Sequence, residues 1–169
     1  MTTFHAQPYN LDATGFFFAN LEDYEAQSKR ARDAFGLPVE EFEIQFIDGD
    51  NGDAQIFEAA RINQSTLSQF LEAIENMEDY RKPALYFLLE RGCGMEESLD
   101  LIDDVMLQEG DLEEAARQLF DEIYLHQIPE ALQPYIDYAA FARDCDYSGD
   151  FEQFEFAGTT YTCTNANGI

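Results

Sequence analysis

The chain has 169 residues, with 35 acids against nine Lys and Arg, and a formal net charge of −26. That balance excludes ordinary nucleic-acid binding, which needs a basic stripe, and an anionic membrane surface would repel it. A hydrophobic share of 46%, with fifteen Phe and nine Tyr, excludes a disordered acidic tail, which lacks the apolar material for a core.

In chain order, "FHAQPYNLDATGFFFANL" predicts a strand, a Pro/Asn turn and a second strand over Gly15–Ala19. "EDYEAQSKRARDAFGLP" predicts a helix stopped by Gly36 and Pro38. In "EFEIQFID" acidic or polar residues alternate with Phe42, Ile44 and Phe46, the period-2 pattern of a half-buried strand. "DGDNGD" reads as a loop, and "AQIFEAARI" is a candidate returning strand. Residues 1–63 are therefore expected to form a small N-terminal α+β domain.

Helical periodicity follows. "STLSQFLEAIENM" places Leu67, Phe70, Leu71 and Ile74 on one face, with Ser65 or Thr66 available as a cap. "KPALYFLLERG" predicts a second helix that tolerates Pro83 in its first turn, and "MEESLDLIDD" a short third one. "DLEEAARQLFDEIYLH" has the clearest amphipathic spacing, through Leu112, Ala115, Ala116, Leu119, Phe120, Ile123 and Tyr124. Residues 64–127 are expected to be an acidic helical middle domain. Pro129 opens a further helical stretch, "EALQPYIDYAAFARD", which Pro134 divides and in which Asp137 caps "YAAFARD". After the turn "YSGD", "FEQFEF" and "TTYTC" read as strands joined near Ala157–Gly158, so residues 128–169 form a C-terminal α+β domain. The expected fold class is α+β, in three small domains.

The sequence carries no GxSxG, P-loop, Rossmann glycine pattern or HExxH, and its two histidines, His5 and His126, lie far apart. No enzymatic activity and no cofactor are expected. Cys93, Cys145 and Cys163 form no CxxC pair, and the first residues lack a positive n-region and a long apolar run. The expected setting is the cytoplasm, with reduced thiols. Asp144, Asp146, Ser148, Gly149 and Glu155 match positions 1, 3, 5, 6 and 12 of a calcium-binding loop. The pattern requires a helix at Glu155, where the sequence alternates like a hairpin, so no metal site is expected.

The carboxylates remain. Residues 1–63 hold twelve acids and four bases, residues 64–127 sixteen and four, and residues 128–169 seven and one. Like charges at i,i+3 or i,i+4 destabilise a helix by about 0.2–0.5 kcal/mol per pair. Such pairs recur at Glu72–Glu75, Glu75–Glu78, Glu75–Asp79, Glu96–Asp100, Glu97–Asp100, Asp100–Asp103 and Asp100–Asp104. Local rules broken this consistently point to charge as the function. At the density of duplex DNA, one charge per roughly 1.7 Å, the excess corresponds to about 44 Å of double helix, close to the span of about 40 Å for a compact chain of this length. The carboxylates thus read as stand-ins for phosphates. The candidate contacts are Asp48, Asp50, Asp53, Glu72, Glu75, Glu78, Asp79, Glu96, Glu97, Asp100, Asp103, Asp104, Asp111, Glu113, Glu114, Asp121 and Glu122. Two alternatives stay open: an acidic interaction or calcium-binding protein for a basic partner, and a small domain adapted to a salty cytoplasm.

"IPEALQPYIDYAAFARDCDYSGDF", Ile128–Phe151, closely resembles the C-terminal motif of the ArdA-type antirestriction proteins, through Pro129, Leu132, Tyr135, Ile136, Asp137, Tyr138, Ala140, Arg143 and Asp144. "LLERGCGMEESLDLIDD" and "DLEEAARQLFDE" are similar to the family's middle segment and to the helix before its motif, and "PYN" followed by "GFFF" to its opening. The resemblance implies an elongated row of three domains, carried by mobile genetic elements, that imitates bent B-form DNA. It implies as partner the basic DNA groove of a type I restriction–modification enzyme, and a homodimer joined through the C-terminal domain. Leu132, Tyr135, Ile136, Asp137, Tyr138, Phe141 and Arg143 are the motif and dimer candidates, with Leu132, Tyr135, Ile136 and Tyr138 expected in the core or the dimer interface rather than at the contact surface.

Overall fold

A computed structural model describes residues 2–169. The fold is α+β, and the chain divides into two compact units. The first runs to Lys82 and resumes over Leu89–Met95; the second comprises Pro83–Leu88 and Glu96–Ile169. The boundaries expected at residues 63 and 127 fall inside these units.

In the first unit, strand β1 (Thr3–Pro8) lies between β2 (Phe16–Phe18) and β3 (Phe42–Asp48), antiparallel to both. The period-2 alternation turns Phe4, Ala6 and Pro8 inward, and Phe42 and Ile44 likewise. Phe4 is the hub of an aromatic core. Its ring centroid lies 5.3 Å from those of Phe18 and Phe46, 6.1 Å from Phe57 and 6.2 Å from Phe70. The abundance of phenylalanine thus builds this core. Gly15 is required by a close approach, since a Cβ there would stand 2.6 Å from the Ala6 carbonyl oxygen.

Helices α1 (Leu21–Ser28), α2 (Asn51–Ala59) and α3 (Leu67–Asn76) complete the unit. Three segments differ from the sequence-based expectation. Helix α1 stops at Ser28, because the Asp33 carboxylate accepts the backbone N–H groups of Phe35 and Leu37 and folds that segment into a turn. "AQIFEAARI" is helical: the Asp50 side chain caps α2 by accepting from the N–H groups of Gly52 and Asp53, and Ile56 and Phe57 enter the core. Thr66 precedes α3 but makes no side-chain cap; its Oγ1 accepts from the Asn63 N–H.

Helix α4 (Lys82–Glu90) contributes to both units and carries Pro83 in its first turn, as the sequence predicts. In the second unit, α5 (Met95–Leu101) ends in a 3-10 turn over Ile102–Asp104. Strand β4 (Leu107–Glu109) is too short to show a period in the sequence and is not among the expected elements. It joins β5 (Glu152–Phe156) and β6 (Thr159–Cys163) in an antiparallel sheet of order β4-β6-β5. Tyr86 and Phe87 of α4 lie against Phe154, and Phe87 packs with Cys163 and Ala166.

Helix α6 (Leu112–Ile123) starts on a full capping box, with Asp111 and Glu114 each accepting the other's backbone N–H. It packs on α7 (Tyr138–Ser148) through Ala115, Ala116 and Ala142, small side chains that bring the two backbones close. The segment Pro129–Ile136 is not a regular α-helix. It consists of turns with one 3-10 turn over Gln133–Tyr135, consistent with the helix-breaking prolines. Asp137 caps α7 as expected, and Gly149 ends it at φ 79°, a left-handed conformation that favours glycine.

Candidate functional site

The exposed carboxylates are mounted on a few regular elements. Glu72 and Glu75 sit on the outer side of α3, whose Leu67 and Phe70 face the core. Glu78 and Asp79 continue the acidic run into a 3-10 turn over Asp79–Arg81. Glu96, Glu97 and Asp100 are exposed on α5, and Asp103 and Asp104 on the turn that ends it. Asp111, Glu113, Glu114 and Glu122 are exposed along α6, and Asp48 and Asp50 flank the β3–α2 junction. On α3, α5 and α6 helical periodicity produces this arrangement: the apolar stripe goes in, so the intervening acids go out.

Several of these carboxylates have local duties. Oδ1 of Asp50 and Oδ1 of Asp111 each accept two N–H groups at a helix start. The macrodipole favours an anion at that pole. Asp121 is only half-exposed and accepts from the Tyr138 hydroxyl at 2.5 Å. That bond, made to the anionic carboxylate, raises the Tyr138 pKa above the ordinary phenol value.

Asp53 overturns its assignment as a surface contact. It is 6% exposed, and its Oδ1 stands 2.8 Å from Nζ of Lys82. Lys82 also pairs with Asp79 at 2.8 Å. Burial alone would lower the Lys82 pKa, but hydrogen bonds from the ammonium to both aspartates outweigh it and the net shift is upward. The same hydrogen bond, with the charge behind it, holds the Asp79 carboxyl below the usual aspartate value. Asp79 and Lys82 are a local i,i+3 pair, but Asp53 lies far from both in sequence, so local pattern could not reveal its burial.

The bases do little to relieve the surface. Lys82 is buried, Lys29 pairs with Glu25 at 3.1 Å, and Arg32 donates to the Lys29 and Ala31 carbonyls. Arg117 lies 4.4 Å from the Tyr138 ring centroid, a cation–π contact. Further exposed acids, including Glu43 on β3 and Glu152 and Glu155 on β5, extend the charge beyond the candidate set. The period-2 alternation of both strands could have singled them out.

The motif residues divide by exposure. Leu132 and Tyr135 are 56% and 82% exposed and so are not core. Ile136, Tyr138 and Phe141 are half-buried, while Asp137 and Arg143 are exposed. Tyr138 and Phe141 pack edge-on against Phe120 of α6 at 5.6 and 5.2 Å.

The calcium-like spacing is distributed over two elements: Asp144, Asp146 and Ser148 lie on α7, and Glu155 lies on strand β5 where an exit helix would be needed. Among the described residues no cluster of three or more His, Cys, Asp or Glu is arranged to hold a metal. His5 is engaged with Gln45 and tilted on Phe17. Burial, then the nearby Asp150 and Asp144, raise the Cys145 pKa, which disfavours its thiolate form. No described helix is long and apolar enough to cross a membrane.

No curated protein matches the chain. A family model described as "Antirestriction protein (ArdA)" matches residues 15–159.

Proposed function

The chain belongs to the ArdA family of antirestriction proteins, and from that premise we propose that it inhibits a type I restriction–modification enzyme by imitating DNA. The family implies antirestriction and a restriction–modification partner; the mimicry is inferred from the surface. One observation carries it: acids of α3, α5 and α6 face outward while nine lysines and arginines are too few to neutralise 35 acids. A cationic DNA groove meets such a surface as it meets a duplex, exchanging counterions for fixed charges. Glu72, Glu75, Glu78, Asp79, Glu96, Glu97, Asp100, Asp103, Asp104, Glu113 and Glu122 would supply the main contacts. Asp48, Asp50, Asp111 and Glu114 would add charge from helix starts. Inhibition requires no catalysis, since occupancy of the groove is sufficient.

The exposed Leu132, Tyr135 and Tyr147 near α7 suit a homodimer joined through the C-terminal segment, where the net charge is lowest. The test is protection: purified protein added to unmodified plasmid and a type I enzyme should leave the DNA uncut in proportion to its concentration. Cleavage at an undiminished rate with excess protein, for representatives of each type I class, would refute the proposal.

A further inference from the structure

The first unit contains a cavity of about 520 Å³, lined by residues of β1 and β3, the start of α1, Asp53 of α2 and one side of α3. That volume falls within the range of small-ligand pockets, about 300–1,000 Å³. Phe4, Phe46, Phe70, Leu71 and Ile74 make most of its wall apolar, while Glu72 and Glu75 line it as well. The two glutamates lie one turn apart on α3, are exposed, and have no ion-pair partner among the described residues. Asp53 lines it too, but it is buried and already paired with Lys82, which it shares with Asp79, so the carboxylates free to meet a new cation are the two glutamates.

An apolar chamber with two carboxylates has the chemistry of an arginine side chain in reverse: an aliphatic stem ending in a delocalised, weakly hydrated cation. We propose that this cavity receives an arginine side chain of the restriction enzyme, the stem against Leu71 and Ile74 and the guanidinium on Glu72 and Glu75. This rests on the DNA-mimic reading and adds to it. A phosphate backbone offers an arginine charge but no apolar chamber for its stem, so the protein could hold such a residue more tightly than the duplex does.

Two experiments test the socket separately from the inhibition. The first titrates butylguanidinium chloride into methyl-labelled protein, with guanidinium chloride and butyramide as controls. Saturable shifts of the Leu71 and Ile74 methyls in the millimolar range, several-fold weaker with either control and lost in Ser68→Phe, are expected. Shifts that do not saturate, or that match the controls, would overturn the socket whatever the protein does to restriction.

The second compares inhibition by Ser68→Phe, which fills the cavity without altering charge, with inhibition by Glu96→Gln/Glu97→Gln, which removes two charges elsewhere. The filled variant is expected to inhibit about tenfold more weakly at an unchanged Tm, a loss of about 1.4 kcal/mol, and the distant pair to lose less. Should the filled variant lose thermal stability, Ala19→Leu, at another wall position, replaces it. A correctly folded filled variant with full potency would refute the arginine occupant. Failure of the unmodified protein to inhibit at all would refute the DNA-mimic reading instead.

Discussion

At the scale of single residues, Lys82 departs most from the general picture of surface charge. It is the one lysine placed in the interior, and it exists there because Asp53 and Asp79 surround it. Removing one partner of such a buried pair leaves the other uncompensated, at a cost of about 3–5 kcal/mol. Lys82→Met should therefore destabilise the first unit by that order in chemical denaturation, and Asp53→Asn added to it should restore much of the loss. If Lys82→Met unfolded at the parent denaturant concentration, the triad would be incidental.

The exposed arm of the triad should respond to pH. The Asp79 carboxyl is held below its ordinary value, so its pairing is complete at neutral pH and disappears as acid protonates it in the folded state. The Tm difference between the parent and Asp79→Asn should thus be greatest near neutrality and should close only as the pH falls below the ordinary aspartate pKa. A difference that grew on acidification would have the wrong sign.

At the scale of elements, α5 shows what the charge costs. Asp100 lies one turn from Glu96 and Glu97 on a seven-residue helix, and toward its C-terminal end, where the macrodipole disfavours an anion. Asp100→Asn should raise stability by about 1 kcal/mol. It should weaken target binding only slightly, since the remaining acids maintain the field. A calorimetric scan and an inhibition curve on the same preparation would check both, and a loss of stability would show that Asp100 is structurally engaged.

Elements with strong periodicity were legible in the sequence: the alternation of β3, the apolar stripes of α3 and α6, the cap of α7 at Asp137 and the hairpin of β5 and β6. The misread ones share a cause. "AQIFEAARI" is a short apolar run that suits strand or helix, and the Asp50 cap decides it. Strand β4 has three residues, too few for a period, and is defined by its pairing with distant β6. Of the candidate site, the exposed acids followed directly from helical spacing. Asp53 did not, because its burial depends on a lysine brought to it by the fold.

At the scale of the whole molecule, a net charge of −26 sets two associations against each other in their response to salt. Self-association brings like charges together and should tighten as salt screens them. Sedimentation at increasing salt should therefore show the dimer fraction rising, and Tyr135→Glu with Leu132→Glu should abolish it. A monomer at high protein concentration in moderate salt, or a dimer indifferent to those substitutions, would count against the C-terminal join.

Binding to the target should move the opposite way. The central claim is that the carboxylate surface occupies the place of the duplex in a basic groove. The most direct measurement is competition between this protein and a labelled duplex carrying the recognition site, on the DNA-binding core of a type I enzyme, repeated over a range of salt. Full mutual displacement is predicted, with log Kd for the protein rising steeply and linearly with log salt, as it does for duplex DNA. A complex holding protein and duplex together, or an affinity that stays flat as salt increases, would contradict the mimicry.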